Sequence, residues 1–172
     1  MNSFKICLMG AFSVGKTSLV RRFVHEVFDQ RYTTTLGVKI ETREVELDSG
    51  PVKLVIWDME GADNGDGEAE LVSSRMKAYL KGVNSVMLVA DGTRAVTVQT
   101  AWRLQEWLHR EWPGIPVVML LNKSDLQDKW QPGLQQKEES SKSLLCFTTS
   151  ALSGENVEDT FRHLARQLSE KQ

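Results

Sequence analysis

The stretch from Gly10 to Thr17 places two glycines, a lysine and a hydroxyl at the spacing G-x-x-x-x-G-K-[ST]. Gly10 and Gly15 allow backbone conformations and close approaches that a Cβ would prevent. The N–H groups of such a loop form a nest for phosphate oxygens, and the positive end of the following helix dipole points at the same place. Lys16 would reach the β- and γ-phosphates, and the Thr17 hydroxyl would bind Mg²⁺. The stretch therefore predicts a site for a nucleoside triphosphate and its magnesium ion. The predicted nucleotide contacts here are Gly10, Phe12, Ser13, Val14, Gly15, Lys16, Thr17 and Ser18.

A second motif, Asn122-Lys123-Ser124-Asp125, follows an apolar run and predicts which base is bound. An ionised aspartate can only accept hydrogen bonds. Guanine offers two adjacent donors to Asp125, whereas adenine offers an acceptor and would leave the carboxylate unpaired. The site should therefore reject adenine strongly. The alternative is a nucleotide kinase or ATPase, which competition of ATP against bound GDP would test.

Strand patterns alternate with helix patterns along the whole chain. This order predicts a mostly parallel sheet covered by helices on both faces, with ligands bound at the carboxyl ends of the strands. A turn at residues 48–51 predicts one antiparallel hairpin, and Asn156 is predicted to cap the last helix with Asp159 as its reciprocal partner. Strands are predicted at residues 4–9, 38–47, 52–57, 85–90, 116–121 and 144–148, and helices at 16–27, 71–80, 97–111, 132–141 and after Asn156.

Composition places the chain among ordinary globular proteins. A length of 172 residues suggests one domain, and 41% hydrophobic with 26% charged residues is typical. The net charge of −2 gives no reason to expect nucleic-acid binding. Cys7 and Cys146 lie in apolar runs and indicate buried thiols in a reducing, cytoplasmic compartment. No signal peptide, spanning segment or prenylated C-terminal cysteine is recognised, so no intrinsic membrane anchor is expected. Nothing demands more than a monomer.

With these motifs in order, the chain resembles a Ras-superfamily small GTPase of the Rab-like branch, particularly its bacterial members. The likeness covers essentially the whole chain. It implies the P-loop NTPase (small G-protein) fold: a six-stranded, mostly parallel α/β sheet with one antiparallel hairpin and about five helices, all in one GTP-binding domain spanning residues 1–172. It also implies GTP/GDP as ligand and Mg²⁺ as cofactor.

The resemblance assigns roles to further residues. Thr35, in a segment that resembles switch I, would bind Mg²⁺ and sense the γ-phosphate. Asp58 and Gly61, in a W-D-x-x-G sequence that resembles the start of switch II, would hold the metal shell and contact the γ-phosphate. The implied catalytic residues are Lys16, Thr35 and Gly61, the metal ligands are Thr17, Thr35 and Asp58, and the remaining nucleotide contacts are Asn122, Lys123, Asp125, Ser150, Ala151 and Leu152.

Two positions depart from the family pattern. Most members follow the switch II glycine with a glutamine that orients the attacking water, but this chain has Ala62 there. Phe12 stands where a small residue is usual. Its ring would either crowd the γ-phosphate region or lie across a neighbouring loop without any effect on the chemistry. We therefore expect very slow intrinsic hydrolysis.

Other groups in the chain would have to replace the glutamine if hydrolysis occurs. Asp63, Asp66 or Glu68, in an acidic segment longer than the family norm, would then position the water, or a partner would. Arg31 is interpreted as a surface residue rather than an arginine finger. The segment beyond Gly61 should be mobile unless a ligand orders it.

Two functional readings remain from the sequence. The first is a switch that cycles between GTP and GDP, with effector, exchange-factor and activating proteins as partners; the resemblance suggests roadblock-type regulators among them. The second is a pseudo-GTPase that holds its nucleotide and acts as a scaffold. Nucleotide exchange and hydrolysis separate the two.

Overall fold

A computed structural model of the chain describes residues 1–63, 65, 67–131 and 144–171. Six strands form one sheet in the order β2-β3-β1-β4-β5-β6. Only β2 and β3 pair antiparallel, and all other neighbours are parallel. The fold class predicted from the sequence is therefore confirmed. The strands are β1 Asn2–Met9, β2 Val38–Leu47, β3 Gly50–Met59, β4 Ser85–Asp91, β5 Val117–Asn122 and β6 Leu145–Thr148.

The described residues also form five α-helices and one short 3₁₀ turn. The prediction of one helix over 71–80 is wrong in detail, because two helices occupy this region with a break at residues 72–73. Ser73 begins the second helix, and its side chain accepts a hydrogen bond from the Met76 N–H at 3.2 Å. The helix predicted at 132–141 lies outside the described residues. The helices are α1 Lys16–His25, α2 Glu68–Leu71, α3 Ser74–Tyr79, α4 Ala95–Glu111 and α5 Val157–Ser169, with the 3₁₀ turn at Gln127–Lys129.

The central parallel strands β1, β4 and β5 are largely buried on both faces, as parallel strands usually are. Along β1, Ile6 and Leu8 face a core shared with α1 and α5, while Cys7 and Met9 face a second core shared with α3 and α4. In the first core the rings of Phe23 and Phe161 stack with centroids 4.0 Å apart. Helices thus fix the sheet from both sides, and the loops at its carboxyl edge rest on a rigid base.

The start of α5 differs from the prediction. Asn156 is the N-cap residue, but it adopts a left-handed conformation with φ 54°, and its side chain makes no cap hydrogen bond. Its amide instead donates to the Thr148 carbonyl at 2.8 Å. The predicted reciprocal cap with Asp159 is therefore wrong, because the side chain ties the helix start to the end of β6.

The loops that carry the motifs leave the carboxyl ends of β1, β3, β5 and β6, which are all at one edge of the sheet. Among the helices of the described residues, none combines the length and apolar character that crossing a bilayer requires.

Candidate functional site

An open cleft of about 360 Å³ lies at this edge of the sheet. It is flanked by the loop between β1 and α1, by residues 28–35, and by the loops after β5 and β6. Most of the predicted site residues line it, so the fold brings separate motifs to one place. The predicted residues in its wall are Phe12, Ser13, Gly15, Lys16, Thr17, Ser18, Thr35, Gly61, Asn122, Lys123, Asp125, Ala151 and Leu152; Gly10, Val14, Asp58 and Ser150 lie behind that wall.

The two glycines of the first loop are required by close neighbours. A Cβ on Gly10 would come within 2.2 Å of the Val89 carbonyl oxygen. A Cβ on Gly15 would come within 2.2 Å of Asn122 Nδ2, and Gly15 also has φ 102°. The loop is thus pressed against β4 on one side and against the base motif on the other, as only glycine permits.

The Lys16 amine is almost fully buried and points into the loop. Its Nζ donates to the carbonyl oxygens of Gly10 at 3.1 Å and Ala11 at 2.9 Å. Burial lowers the pKa of Lys16 to about 8, although the Asp58 carboxylate opposes this shift. A cation desolvated in this way gains from an incoming anion, since the anion restores the charge compensation that water no longer gives.

Three oxygen-bearing side chains from separate segments meet beside Lys16. Thr17 Oγ1 donates to Asp58 Oδ2 at 2.5 Å and lies 2.7 Å from Thr35 Oγ1. Asp58 Oδ1 is buried and has no hydrogen-bond partner among the described residues. Burial raises the pKa of Asp58, so a nearby cation would favour its charged form. Two hydroxyls and a carboxylate with a free oxygen fit a hard divalent cation such as Mg²⁺.

The base motif is tied directly to the first loop. Asn122 Nδ2 donates to the Val14 carbonyl at 3.0 Å, and Lys123 Nζ donates to the Ser13 carbonyl at 2.9 Å. Asp125 is exposed in the cleft, where its Oδ1 accepts a hydrogen bond from the buried Ser150 hydroxyl at 2.6 Å. Asn122 therefore joins loops, whereas Asp125 presents acceptor oxygens to a ligand.

The loop after β6 is held from two directions. The Ala151 N–H donates to Asn122 Oδ1 at 3.2 Å. From α1, Arg22 donates to the carbonyls of Ala151 at 2.8 Å and Leu152 at 2.5 Å. These contacts fix the part of the cleft wall that the loop after β6 forms.

The Phe12 ring lies across Gly61. A Cβ built on Gly61 would be 2.7 Å from Phe12 Cδ1 and 2.8 Å from Phe12 Cα. The ring is 43% exposed and also lines the cleft. The ring therefore lies across the neighbouring loop that begins at Gly61, and its effect on the γ-phosphate region stays a prediction.

Ala62 points away from the cleft. It is 1% exposed and belongs to the apolar cluster that includes Met59 and Leu71. Its N–H donates to the Gly10 carbonyl at 2.8 Å, and it forms a parallel bridge with Ala11. The position expected to hold a water-orienting side chain therefore holds a buried methyl group.

Within the acidic segment after Ala62, the described residues Gly65 and Glu68 contact α3 and α4. Arg103 donates to the Gly65 carbonyl at 2.8 Å, and Glu68 pairs with Arg110 at 2.6 Å and Lys77 at 3.7 Å. Neither Asp63 nor Glu68 is among the described residues that line the cleft; Asp66 lies outside the described residues.

Arg31 is at the rim of the cleft, where its side chain is 90% exposed and pairs with Asp29 at 3.3 Å.

Sequence reasoning missed several residues of this site. Phe28 and Leu126 line the cleft as apolar surfaces, and Arg22 supports the loop after β6. Asp91, the last residue of β4, pairs with Lys123 at 2.8 Å. Asp91 could have been predicted, because it is a charged residue at the end of an apolar strand, where ligands bind in such sheets. Arg22 could not have been predicted, because it lies on an ordinary amphipathic helix.

Comparisons with known proteins agree with this geometry. The model of the Ras family matches residues 5–170. The Ras-related protein RABA1b of Arabidopsis thaliana is 35% identical over 168 residues, covering 96% of this chain and 74% of its own length. The Ras-related protein Rab11E of Lotus japonicus is 34% identical over 170 residues, with the same coverage. The Rab-like resemblance is confirmed, but these plant relatives give no support to its expected bacterial character.

Proposed function

Because the chain belongs to the Ras family of small GTP-binding regulatory proteins, we propose that it is a GTP/GDP switch whose own hydrolysis of GTP is very slow. In this proposal residues 1–172 act as one GTP-binding domain. The observation that carries the slow hydrolysis is the burial of Ala62, which leaves that position without a group that could hydrogen-bond to water in the cleft.

The phosphates would occupy the loop end of the cleft. The N–H groups of the loop and the start of α1 face them there, and Lys16 exchanges its contacts with Gly10 and Ala11 for phosphate oxygens. Catalysis would rest on Lys16, Thr35 and the Gly61 N–H, which surround the γ-phosphate and stabilise the charge that develops on it.

Mg²⁺ would be held by the two hydroxyls and the carboxylate that already meet, those of Thr17, Thr35 and Asp58. When bound, the ion neutralises phosphate charge. The unpartnered oxygen of Asp58 supports this assignment, since a buried carboxylate oxygen without a partner is costly.

The base would lie between Phe28 and the loops after β5 and β6. Asp125 offers two acceptor oxygens to guanine, and Ser150 fixes the orientation of its carboxylate. Leu126 and Leu152 add apolar surface on the same side. Adenine would leave Asp125 unpaired, so we propose selectivity for guanine nucleotides.

The test is single-turnover hydrolysis by GTP-loaded protein with Mg²⁺, with bound GTP and GDP separated by chromatography. Ras without its activator hydrolyses GTP at roughly 4 × 10⁻⁴ s⁻¹. We expect a rate at least about tenfold lower, because one hydrogen bond to the attacking water is missing. Conversion within minutes would contradict the proposal and would direct mutagenesis to Asp63, Asp66 and Glu68.

A second function is favoured by the position of Phe12. A ring lying over Gly61 narrows access to the γ-phosphate region, which suits a pseudo-GTPase that retains its nucleotide as a structural ligand. Exchange of bound GDP for labelled GTP distinguishes the two. A switch exchanges when an exchange factor is present, whereas a scaffold keeps the nucleotide with which it was purified.

As a switch, the protein would work with effector, exchange-factor and activating proteins, with roadblock-type regulators as one candidate class. The free thiols of Cys7 and Cys146 support a reducing compartment such as the cytoplasm. We propose that it acts as a monomer, which sedimentation or light-scattering measurements of the GDP-bound protein would check.

A further inference from the structure

We propose that Arg94, held by the buried carboxylate of Asp91, is a positioning residue that sets the conformation of the phosphate-binding loop around Ser13. The inference rests on the proposed function, because the loop around Ser13 is the part of the cleft proposed to bind the phosphates of the nucleotide. Arg94 would therefore affect phosphate binding and not recognition of the base.

Asp91 is the anchor of this arrangement. It closes β4 and is 1% exposed. Its Oδ2 lies 3.0 Å from Arg94 Nε and 2.8 Å from Lys123 Nζ, while its Oδ1 accepts hydrogen bonds from the N–H and hydroxyl of Thr93 at 2.9 and 2.6 Å. Burial alone would raise the pKa of Asp91, but the hydrogen bonds from Lys123 and Thr93 outweigh it and lower the pKa. The carboxylate is therefore ionised and holds two cations.

Both cations, Arg94 and Lys123, also donate hydrogen bonds to consecutive backbone carbonyls of the phosphate-binding loop. Arg94 Nη2 donates to the Phe12 carbonyl at 2.9 Å, and Lys123 Nζ donates to the Ser13 carbonyl at 2.9 Å. One carbonyl precedes the Cα of Ser13 and the other follows it. The peptide groups on both sides of Ser13 are therefore fixed by two side chains that share one anchor, Asp91.

Ser13 needs this support because its backbone is in a left-handed conformation, with φ 61°. Residues other than glycine rarely adopt this conformation. A peptide group is planar, so holding the Phe12 carbonyl also sets the direction of the Ser13 N–H on its opposite side. That N–H belongs to the nest that would receive phosphate oxygens.

Arg94 and Lys123 differ in what else they touch. Lys123 belongs to the base motif and lines the cleft, whereas Arg94 is not among the described residues of the cleft wall. Losing Arg94 should therefore weaken the hold on phosphate and leave recognition of the nucleoside unchanged. A general loss of structure would weaken both.

The experiment compares Arg94→Met, Arg94→Lys and wild type. We expect Arg94→Met to release GDP about tenfold faster, since a charge-assisted hydrogen bond to the loop is lost, while guanosine competes with unchanged affinity. The ³¹P resonance of the β-phosphate of bound GDP should shift. Arg94→Lys should recover much of the wild-type rate, because an ammonium paired with Asp91 can donate to the Phe12 carbonyl as Lys123 does to the Ser13 carbonyl.

Arg162→Met is the matched control. Arg162 is 41% exposed, as Arg94 is, and it likewise pairs with a carboxylate, Glu158, and donates to a backbone carbonyl, that of Glu46. It lies on α5, and it is not among the described residues of the cleft wall. Its replacement should leave GDP release and the ³¹P spectrum unchanged.

Unchanged GDP release in folded Arg94→Met would overturn the inference, and so would an equal loss of GDP and guanosine binding. Failure of the proposed function would be visible earlier and separately. In that case the wild-type protein would bind no GDP, and the proposed role of Arg94 in phosphate binding would be wrong as well.

Discussion

Replacing Ala62 by glutamine restores the side chain that the family pattern has at this position, yet we expect the variant to lose stability rather than gain activity. Ala62 is 1% exposed, and its N–H is fixed to the Gly10 carbonyl. The longer side chain would overfill the apolar cluster, which costs about 1–3 kcal/mol. Its amide would lack partners there, which costs about 1–3 kcal/mol more. The free energy of unfolding should therefore fall by about 2–6 kcal/mol.

Ala62→Met separates the two costs, because methionine resembles glutamine in length but has no amide. It should lose only the overfilling part, about 1–3 kcal/mol. Urea unfolding of all three proteins, with equal saturating GDP and Mg²⁺, measures both differences. Single-turnover hydrolysis of the same samples should show no increase for Ala62→Gln.

The opposite result would refute this reasoning. If Ala62→Gln were as stable as wild type and hydrolysed GTP tenfold faster, the side chain at position 62 would have to face the cleft. The burial of Ala62 would then not be the reason for slow hydrolysis.

Three further predictions concern the phosphate end of the cleft. Nucleotide affinity should fall as the pH rises above about 8, because Lys16 then loses its proton in the free protein and phosphate binding must restore it. Calorimetric titration of nucleotide-free protein, repeated in two buffers with different ionisation enthalpies, measures the protons taken up on binding. We expect uptake of about half a proton at pH 8 and almost none at pH 6.5. Gly15→Ala should lose at least about 2 kcal/mol of stability in urea unfolding, because its Cβ would lie 2.2 Å from Asn122 Nδ2. The control Gly50→Ala should lose less stability, because Gly50 has a similar φ but open space around it. Asp58→Ala should release GDP at a rate that EDTA does not change, whereas EDTA should accelerate wild-type release; a strong EDTA effect on the variant would show that the metal is held elsewhere.

The sequence predicted the sheet well because its signals are local. β4 is apolar at nearly every position, as a strand buried on both faces must be, and the turn at residues 48–51 marks the hairpin. The motifs at Gly10–Thr17 and Asn122–Asp125 could be placed for the same reason. Parallel strands bring their carboxyl ends to one edge, so residues more than a hundred positions apart could be expected to meet.

What the sequence could not predict depends on partners far along the chain. The side-chain direction of Ala62 is set by a hydrogen bond to Gly10, 52 positions earlier. Asn156 looks like a helix cap, but the Thr148 carbonyl takes its amide. Arg94 is one arginine among many until the fold places it beside Asp91 and the Phe12 carbonyl.

The attachment of the acidic segment to α4 bears on how a partner could act on this protein. Its contacts, between Arg103 and Gly65 and between Glu68 and Arg110, are polar, and the second is an ion pair whose side chains are at least half exposed. Exposed ion pairs stabilise a conformation only weakly. A form in which the contact between Glu68 and Arg110 is broken should therefore exist in a small fraction of molecules even without a partner. A protein that binds this form about a hundredfold more tightly could raise it from about 1% to half of the molecules, and it could then carry Glu68 toward the nucleotide without first breaking the core.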